Sequence, residues 1–223
     1  KTEGPSCPIL RVMCPDVLED YYFNRMYKND SGKTVKVEFL STTNINGDEM
    51  VKNLLQANID VVISHHALQH EKITSVKMDA MDNFVILCGD KSLLSNQKEL
   101  ALLHYYALPH AVYNDGIYTD FTNLLGTSLT IDAPYAGLVK VIYRSSSING
   151  IISALERSDM LTVLPRILAD YFIRERNCKL KCFDLPKEIS IKQSPVYMHY
   201  LSNSSKRRYV HMILSQLKTV EAV

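Results

Sequence analysis

Along this chain, short apolar runs alternate with stretches in which apolar residues recur every three or four positions. The runs read as strands and the periodic stretches as helices, the pattern of an α/β domain on a largely parallel sheet. Residues 9–14 form an apolar-rich strand halted by Pro15, and Asp16 is placed to cap a helix with Leu18, Tyr21, Tyr22 and Met26 on one face. A polar turn at 29–32 leads to a second strand over 34–40. A helix over 47–57, with Val51, Leu54 and Leu55 on its stripe, precedes an apolar strand at 59–64. Residues 76–78 and 84–88 read as two further strands.

The second half repeats the theme. A helix is predicted near 97–103, a strand at 111–113, a short helix near 119–125 and a strand at 139–143. After a serine-rich turn, Ile148, Ile151, Ile152 and Leu155 fall at i, i+3, i+4 and i+7, which predicts a helix. The strand at 161–164 is closed by Pro165, a residue suited to the first turn of a helix running through Phe172. Strands at 179–183 and 196–200 follow, then a helix over 206–218 with Val210, Ile213, Leu214 and Leu217 on its stripe.

A length of 223 residues accommodates one domain or two linked lobes. The net charge of +1 leaves no broad basic surface to neutralise phosphates, so this segment is not expected to grip nucleic acid by itself. The cysteines, Cys7, Cys14, Cys88, Cys178 and Cys182, are odd in number and scattered, unlike a secreted disulfide framework. If 178–182 is extended, its terminal Cα atoms stand about 13 Å apart, beyond disulfide reach. A reducing, cytoplasmic setting is expected. No apolar run approaches the ~20 residues that span a bilayer, so no membrane partner is expected. Residues 1–5 read as the remnant of an interdomain linker.

Open α/β sheets hold ligands beyond the carboxyl ends of their strands. Here those ends carry Cys14 and Asp16, Ser41 with Thr42 and Thr43, Ser64 with His65 and His66, and Ser145, Ser146 and Ser147. Helix-start N–H groups and hydroxyls suit a small anion, although each Ser or Thr is equally a cap for its own helix. Asp16 would repel an anion there; it either caps its helix or selects a neutral or cationic ligand. His65, His66 and His70 cluster, but a structural metal site usually needs four ligands, so no metal and no cofactor is expected. No G-x-S-x-G, H-E-x-x-H, P-loop or G-x-G-x-x-G pattern occurs, and no catalytic residue is assigned. The short run Lys206, Arg207, Arg208 reads as a solvated helix face.

Two phrases carry a resemblance. Residues 54–63, Leu-Leu-Gln-Ala-Asn-Ile-Asp-Val-Val-Ile, take a leucine-rich helix end through a turn and an Asp into an apolar strand. Residues 161–170, Leu-Thr-Val-Leu-Pro-Arg-Ile-Leu-Ala-Asp, end a strand in Leu-Pro before an Arg-x-Leu-Ala helix. With the aromatic-and-His strand near 197–200 and the terminal helix, their order resembles the effector-binding domain of LysR-type transcription regulators.

That resemblance implies a type II periplasmic-binding-protein-like fold, with two Rossmann-like lobes joined by crossing strands near 85–90 and 194–198. Lobe I would comprise residues 6–88 plus 197–223, and lobe II residues 89–196. It further implies a bacterial regulator that senses a small-molecule effector between its lobes and forms a homodimer or homotetramer. Promoter DNA would be met only through an N-terminal winged helix-turn-helix lying before Lys1. Tyr21, Tyr22, Phe23 and the helix bearing Ile151 and Leu155 are candidates for the dimer face, with core packing an equal alternative for half of these side chains. A free-standing solute-binding protein or a cleft enzyme on the same fold are the alternatives.

Overall fold

The computed structural model of the chain describes residues 9–23, 35–42, 45–65, 67–81, 83–113, 139–189, 191 and 194–219. In chain order the strands are β1 (Ile9–Cys14), β2 (Lys36–Ser41), β3 (Val61–Ser64), β4 (Ile73–Met81), β5 (Phe84–Gly89), β6 (His110–Tyr113), β7 (Val141–Ser145), β8 (Thr162–Pro165), β9 (Leu180–Asp184) and β10 (Ser194–Leu201). The helices are α1 (Asp16–Leu18, continued by a π-helical Glu19–Phe23), α2 (Gly47–Leu55), α3 (Leu102–Ala107), α4 (Ile148–Glu156), α5 (Arg166–Asp170, continued by a π-helical Tyr171–Glu175) and α6 (Arg207–Thr219). The chain forms two compact units: unit 1 is Lys1–Asp79 with Pro195–Val223, and unit 2 is Ala80–Ser194.

Unit 1 is built on a sheet of order β2-β1-β3-β10-β4. β1 runs parallel to both β2 and β3, and β10 runs antiparallel to β3. Every residue of β3 is buried, as expected of a strand inside such a sheet. α6 buries Val210, Ile213 and Leu217 as its periodicity predicts. α2 differs: it buries Met50 and Leu54, an i, i+4 pair, and leaves Leu55 exposed. Lys206 is no solvated residue either. Its ammonium donates to Asp60 Oδ2 and to the Ile9 carbonyl, both at 2.8 Å, and Asp60 also accepts from the Arg11 N–H at 2.8 Å. A half-buried ion pair of this kind ties the start of α6 to the amino ends of β1 and β3.

In unit 2, β5 lies between β8 and β9 and is antiparallel to both. β6 and β7 are parallel, and a bridge from His110 to Leu161 connects β6 to the approach of β8. The sheets are therefore mixed rather than largely parallel. Phe84, Ile86, Tyr105, Val112, Leu161 and Phe183 belong to the core, and α4 buries the four residues its spacing singles out. Gly89 permits close packing: a Cβ there would lie 2.3 Å from the Leu155 carbonyl oxygen.

The predicted helix at 97–103 forms instead at α3. The stretch before it closes successive turns, with Ser92 N–H bonding to Gly89 O, Ser95 N–H to Ser92 O and Gln97 N–H to Leu94 O. Ser and Asn side chains compete with helical hydrogen bonding, which explains the later start. Cys178 precedes β9 rather than joining it, and none of Cys14, Cys88, Cys178 and Cys182 is in a disulfide. The helix predicted near 119–125 lies outside the described residues.

The junctions at Pro15 and Pro165 repeat one design. Both prolines hold extended backbone (φ −59°, ψ 143° and φ −55°, ψ 139°), each precedes a brief α-helix that widens into a π-turn, and each helix buries an edge-to-face aromatic pair. Pro15-Asp-Val-Leu-Glu-Asp-Tyr-Tyr22 matches Pro165-Arg-Ile-Leu-Ala-Asp-Tyr-Phe172 at Pro, Leu, Asp and Tyr. Of the candidates for a dimer face or for core packing, Tyr21, Tyr22, Ile151 and Leu155 are buried in the core; the Phe23 side chain lies outside the described residues.

Candidate functional site

The parallel run of β1, β2 and β3 puts their carboxyl ends on one edge of the unit 1 sheet. Cys14 is in register with Ser41, and Met13 with Val62 two positions before Ser64. That edge thus gathers Cys14, Asp16, Ser41, Thr42, Ser64 and His65, while Thr43 and His66 lie outside the described residues. Ser41 is exposed, Asp16 half-buried, and Cys14, Thr42, Ser64 and His65 are buried.

Thr42 is the distinctive member. It is fully buried, and its Oγ1 has no hydrogen-bond partner among the described residues. An orphaned buried hydroxyl costs about 1–3 kcal/mol, so a native fold normally holds one only for a reason. The Thr42 carbonyl accepts from Ile45 N–H, and Asn46 then caps α2 by accepting from Glu49 N–H at 2.9 Å. Thr42 therefore leads directly into a capped helix start.

The α1 corner of the same edge is acidic. Pro15 occupies the N-cap position without a capping side chain, and Asp16, Glu19 and Asp20 follow it. Asp16 is therefore not the cap of its own helix. Burial, with Asp16 and Asp20 nearby, raises the Glu19 carboxyl above its ordinary value. Burial, with Glu19 and Asp16 nearby, also holds the Cys14 thiol well above the usual thiol range. Cys14 is consequently a packed, unreactive thiol.

Ser64 Oγ lies 3.2 Å from His199 Nε2, and both residues are fully buried. His70 Nδ1 accepts from Lys72 N–H at 3.2 Å, a turn-forming role. Among the described residues, no three His, Cys, Asp or Glu side chains converge in a way that could hold a metal ion.

In unit 2, β7 delivers Tyr143 and Ser145 to the start of α4. Ser147 caps that helix, its Oγ accepting from Gly150 N–H at 3.3 Å, and Ser145 Oγ accepts from Ser147 N–H at 3.1 Å. The capping role is thus real, yet a hydroxyl that accepts keeps its proton to donate elsewhere. Gly150 keeps the place open: a Cβ there would stand 3.0 Å from the Tyr143 hydroxyl and 3.3 Å from Ser145 Oγ. Ser146 is exposed beside them. Tyr143 was not singled out in the sequence; its position two residues before Ser145, on the same strand face, is the signal that points to it.

Residues 6–221 match the family model described as the LysR substrate binding domain. The chain belongs to that family. Solved structures of the fold agree. The regulatory domain of MexT, a transcriptional activator in Pseudomonas aeruginosa, aligns with a TM-score of 0.68 at 18% identity, covering 94% of this chain and 100% of that one. The regulatory domain of MetR, a LysR family regulator from N. meningitidis, aligns with a TM-score of 0.59 at 15% identity, covering 95% and 94%. A full-length OxyR variant from Pseudomonas aeruginosa gives 0.68 at 12% identity, covering 95% and 67%. No curated protein sequence matches the chain.

This LysR substrate-binding domain thus has the periplasmic-binding-protein-like fold of regulatory domains, and its family consists of transcription regulators rather than enzymes. No helix among the described residues is long and apolar enough to cross a membrane.

Proposed function

We propose that this chain is the effector-sensing and dimerising domain of a LysR-type DNA-binding transcription regulator. A small metabolite binds at the strand ends of unit 1. Its binding alters promoter recognition by an N-terminal winged helix-turn-helix of the intact regulator. A ligand of this kind acts only through its differential affinity for two states of the domain.

The observation that carries the reading is the unpartnered hydroxyl of buried Thr42 at the carboxyl end of β2. A ligand group bonded to Thr42 Oγ1 would relieve that deficit. The acidic start of α1 opposes a carboxylate, so the effector group facing unit 1 is neutral or cationic. In unit 2 by itself, the available protons of Ser145 and Ser147 at the start of α4 suit an acceptor group.

The test is a thermal-shift screen of a metabolite panel against the wild-type chain and Thr42→Val. The valine keeps the shape and removes the orphaned oxygen. Its unliganded stability should equal or exceed that of the wild type, by up to about 1 kcal/mol. Any metabolite that stabilises the wild type should lose at least tenfold in affinity. A panel ligand bound equally well by both proteins, or consumed with turnover, contradicts the reading.

A further inference from the structure

β10 carries a histidine whose bonding pattern places a proton on Nδ1 and gives it a task. His199 is fully buried and stacks on Tyr197, with ring centroids 5.9 Å apart. Its Nε2 lies 3.2 Å from Ser64 Oγ, and its Nδ1 lies 2.8 Å from Ser75 Oγ. Ser75 Oγ in turn donates to the Leu68 carbonyl at 3.1 Å.

The direction of this chain of bonds follows from its far end. A hydroxyl has one proton, and that of Ser75 is committed to a carbonyl, which can only accept. Ser75 Oγ can therefore only accept from His199, so Nδ1 carries a proton. In a neutral imidazole Nε2 then offers a lone pair, and Ser64 donates to it. Read in order, Ser64 O–H donates to Nε2, Nδ1–H to Ser75, and Ser75 O–H to Leu68. One imidazole thereby holds Ser64 directly and the Leu68 carbonyl through Ser75. The buried His65 follows Ser64.

We infer that His199 is a positioning residue for Ser64 and Leu68 at the end of β3, acting as a neutral imidazole with its proton on Nδ1. It fixes the Ser64 hydroxyl so that toward any further partner this oxygen acts as an acceptor. The functional weight of this inference rests on the reading that the β1, β2 and β3 ends receive the effector. The same pair of side chains would suit a nucleophile and base, but fully buried Ser64 offers a substrate no access.

The decisive experiment is a long-range nitrogen–proton correlation spectrum of the 15N-histidine-labelled chain, with His199 assigned by its loss in His199→Asn. Nδ1 should show the protonated pattern and Nε2 the unprotonated one. In Ser75→Ala the acceptor for Nδ1–H is gone, so the proton should move to Nε2. Amide exchange at Ser64, His65 and Leu68 should then quicken about tenfold, with α4 in unit 2 unchanged. A wild-type ring protonated on Nε2 overturns the inference, and so does exchange at these residues that Ser75→Ala leaves unaltered. If Ser75→Ala fails to fold, the wild-type spectrum alone decides. None of these readouts uses an effector, so a metabolite screen without a binder would sink the proposed function and leave this result standing.

Discussion

Thr42 and Ser64 close two strands of one sheet, yet their hydroxyls meet opposite circumstances. Ser64 bonds inward to His199, whereas Thr42 Oγ1 is buried without a partner among the described residues. Sequence placed both at strand ends but could not separate them, because the difference depends on His199, remote in the chain. Glu19 is a second residue whose state comes from packing. Its carboxyl is raised by burial and by Asp16 and Asp20. Between the unfolded and folded values the native state therefore holds more protons than the unfolded chain, and stability falls as pH rises through that window. Glu19→Gln should accordingly melt at a higher temperature than wild type at pH 7. The advantage should vanish near pH 3.5, below the ordinary glutamate value of about 4.3. A variant melting below wild type at pH 7 would show that Glu19 is held by favourable contacts instead.

Elements declared themselves in the sequence wherever one face is wholly buried. The spacing of Ile148, Ile151, Ile152 and Leu155 gave α4, and the strand expected at 59–64 forms as β3 over Val61–Ser64. Pro165 marked a strand-to-helix junction, although it stands at the N-cap rather than inside the helix. Legibility failed where local bonding competes with periodicity, as before α3, and where a stripe is ambiguous, as on α2. The π-turns of α1 and α5 have no residue pattern that announces them, although the repeated Pro-x-x-Leu-x-Asp-Tyr phrase could have shown that the two junctions are alike. Two element-scale tests follow. Asn46→Ala and Ser147→Ala each remove a cap from a helix of similar length and should each lower stability by about 0.5–2 kcal/mol in denaturant titrations. Gly89→Ala forces a Cβ against the Leu155 backbone and should destabilise by about 1–3 kcal/mol. Unchanged unfolding midpoints would mean that α4 is not anchored as described.

At the scale of the molecule, fold and family were legible because they rest on the order of elements, which a chain displays even at the low identities seen with its structural relatives. The candidate site was legible as a set of strand ends but not as chemistry. Its decisive features, an orphaned hydroxyl, a directed imidazole and an acidic helix start, arise from burial and from partners distant in sequence. The near-neutral chain has little charge with which to hold nucleic acid, in keeping with a domain that senses and leaves DNA contact to another part of a regulator. The most direct test is to read the open reading frame that encodes this segment. A winged helix-turn-helix followed by a long linker helix, in the roughly 80–90 residues upstream, is the result this account predicts. A secretion signal joined directly to the segment would contradict it and make the chain a solute-binding protein.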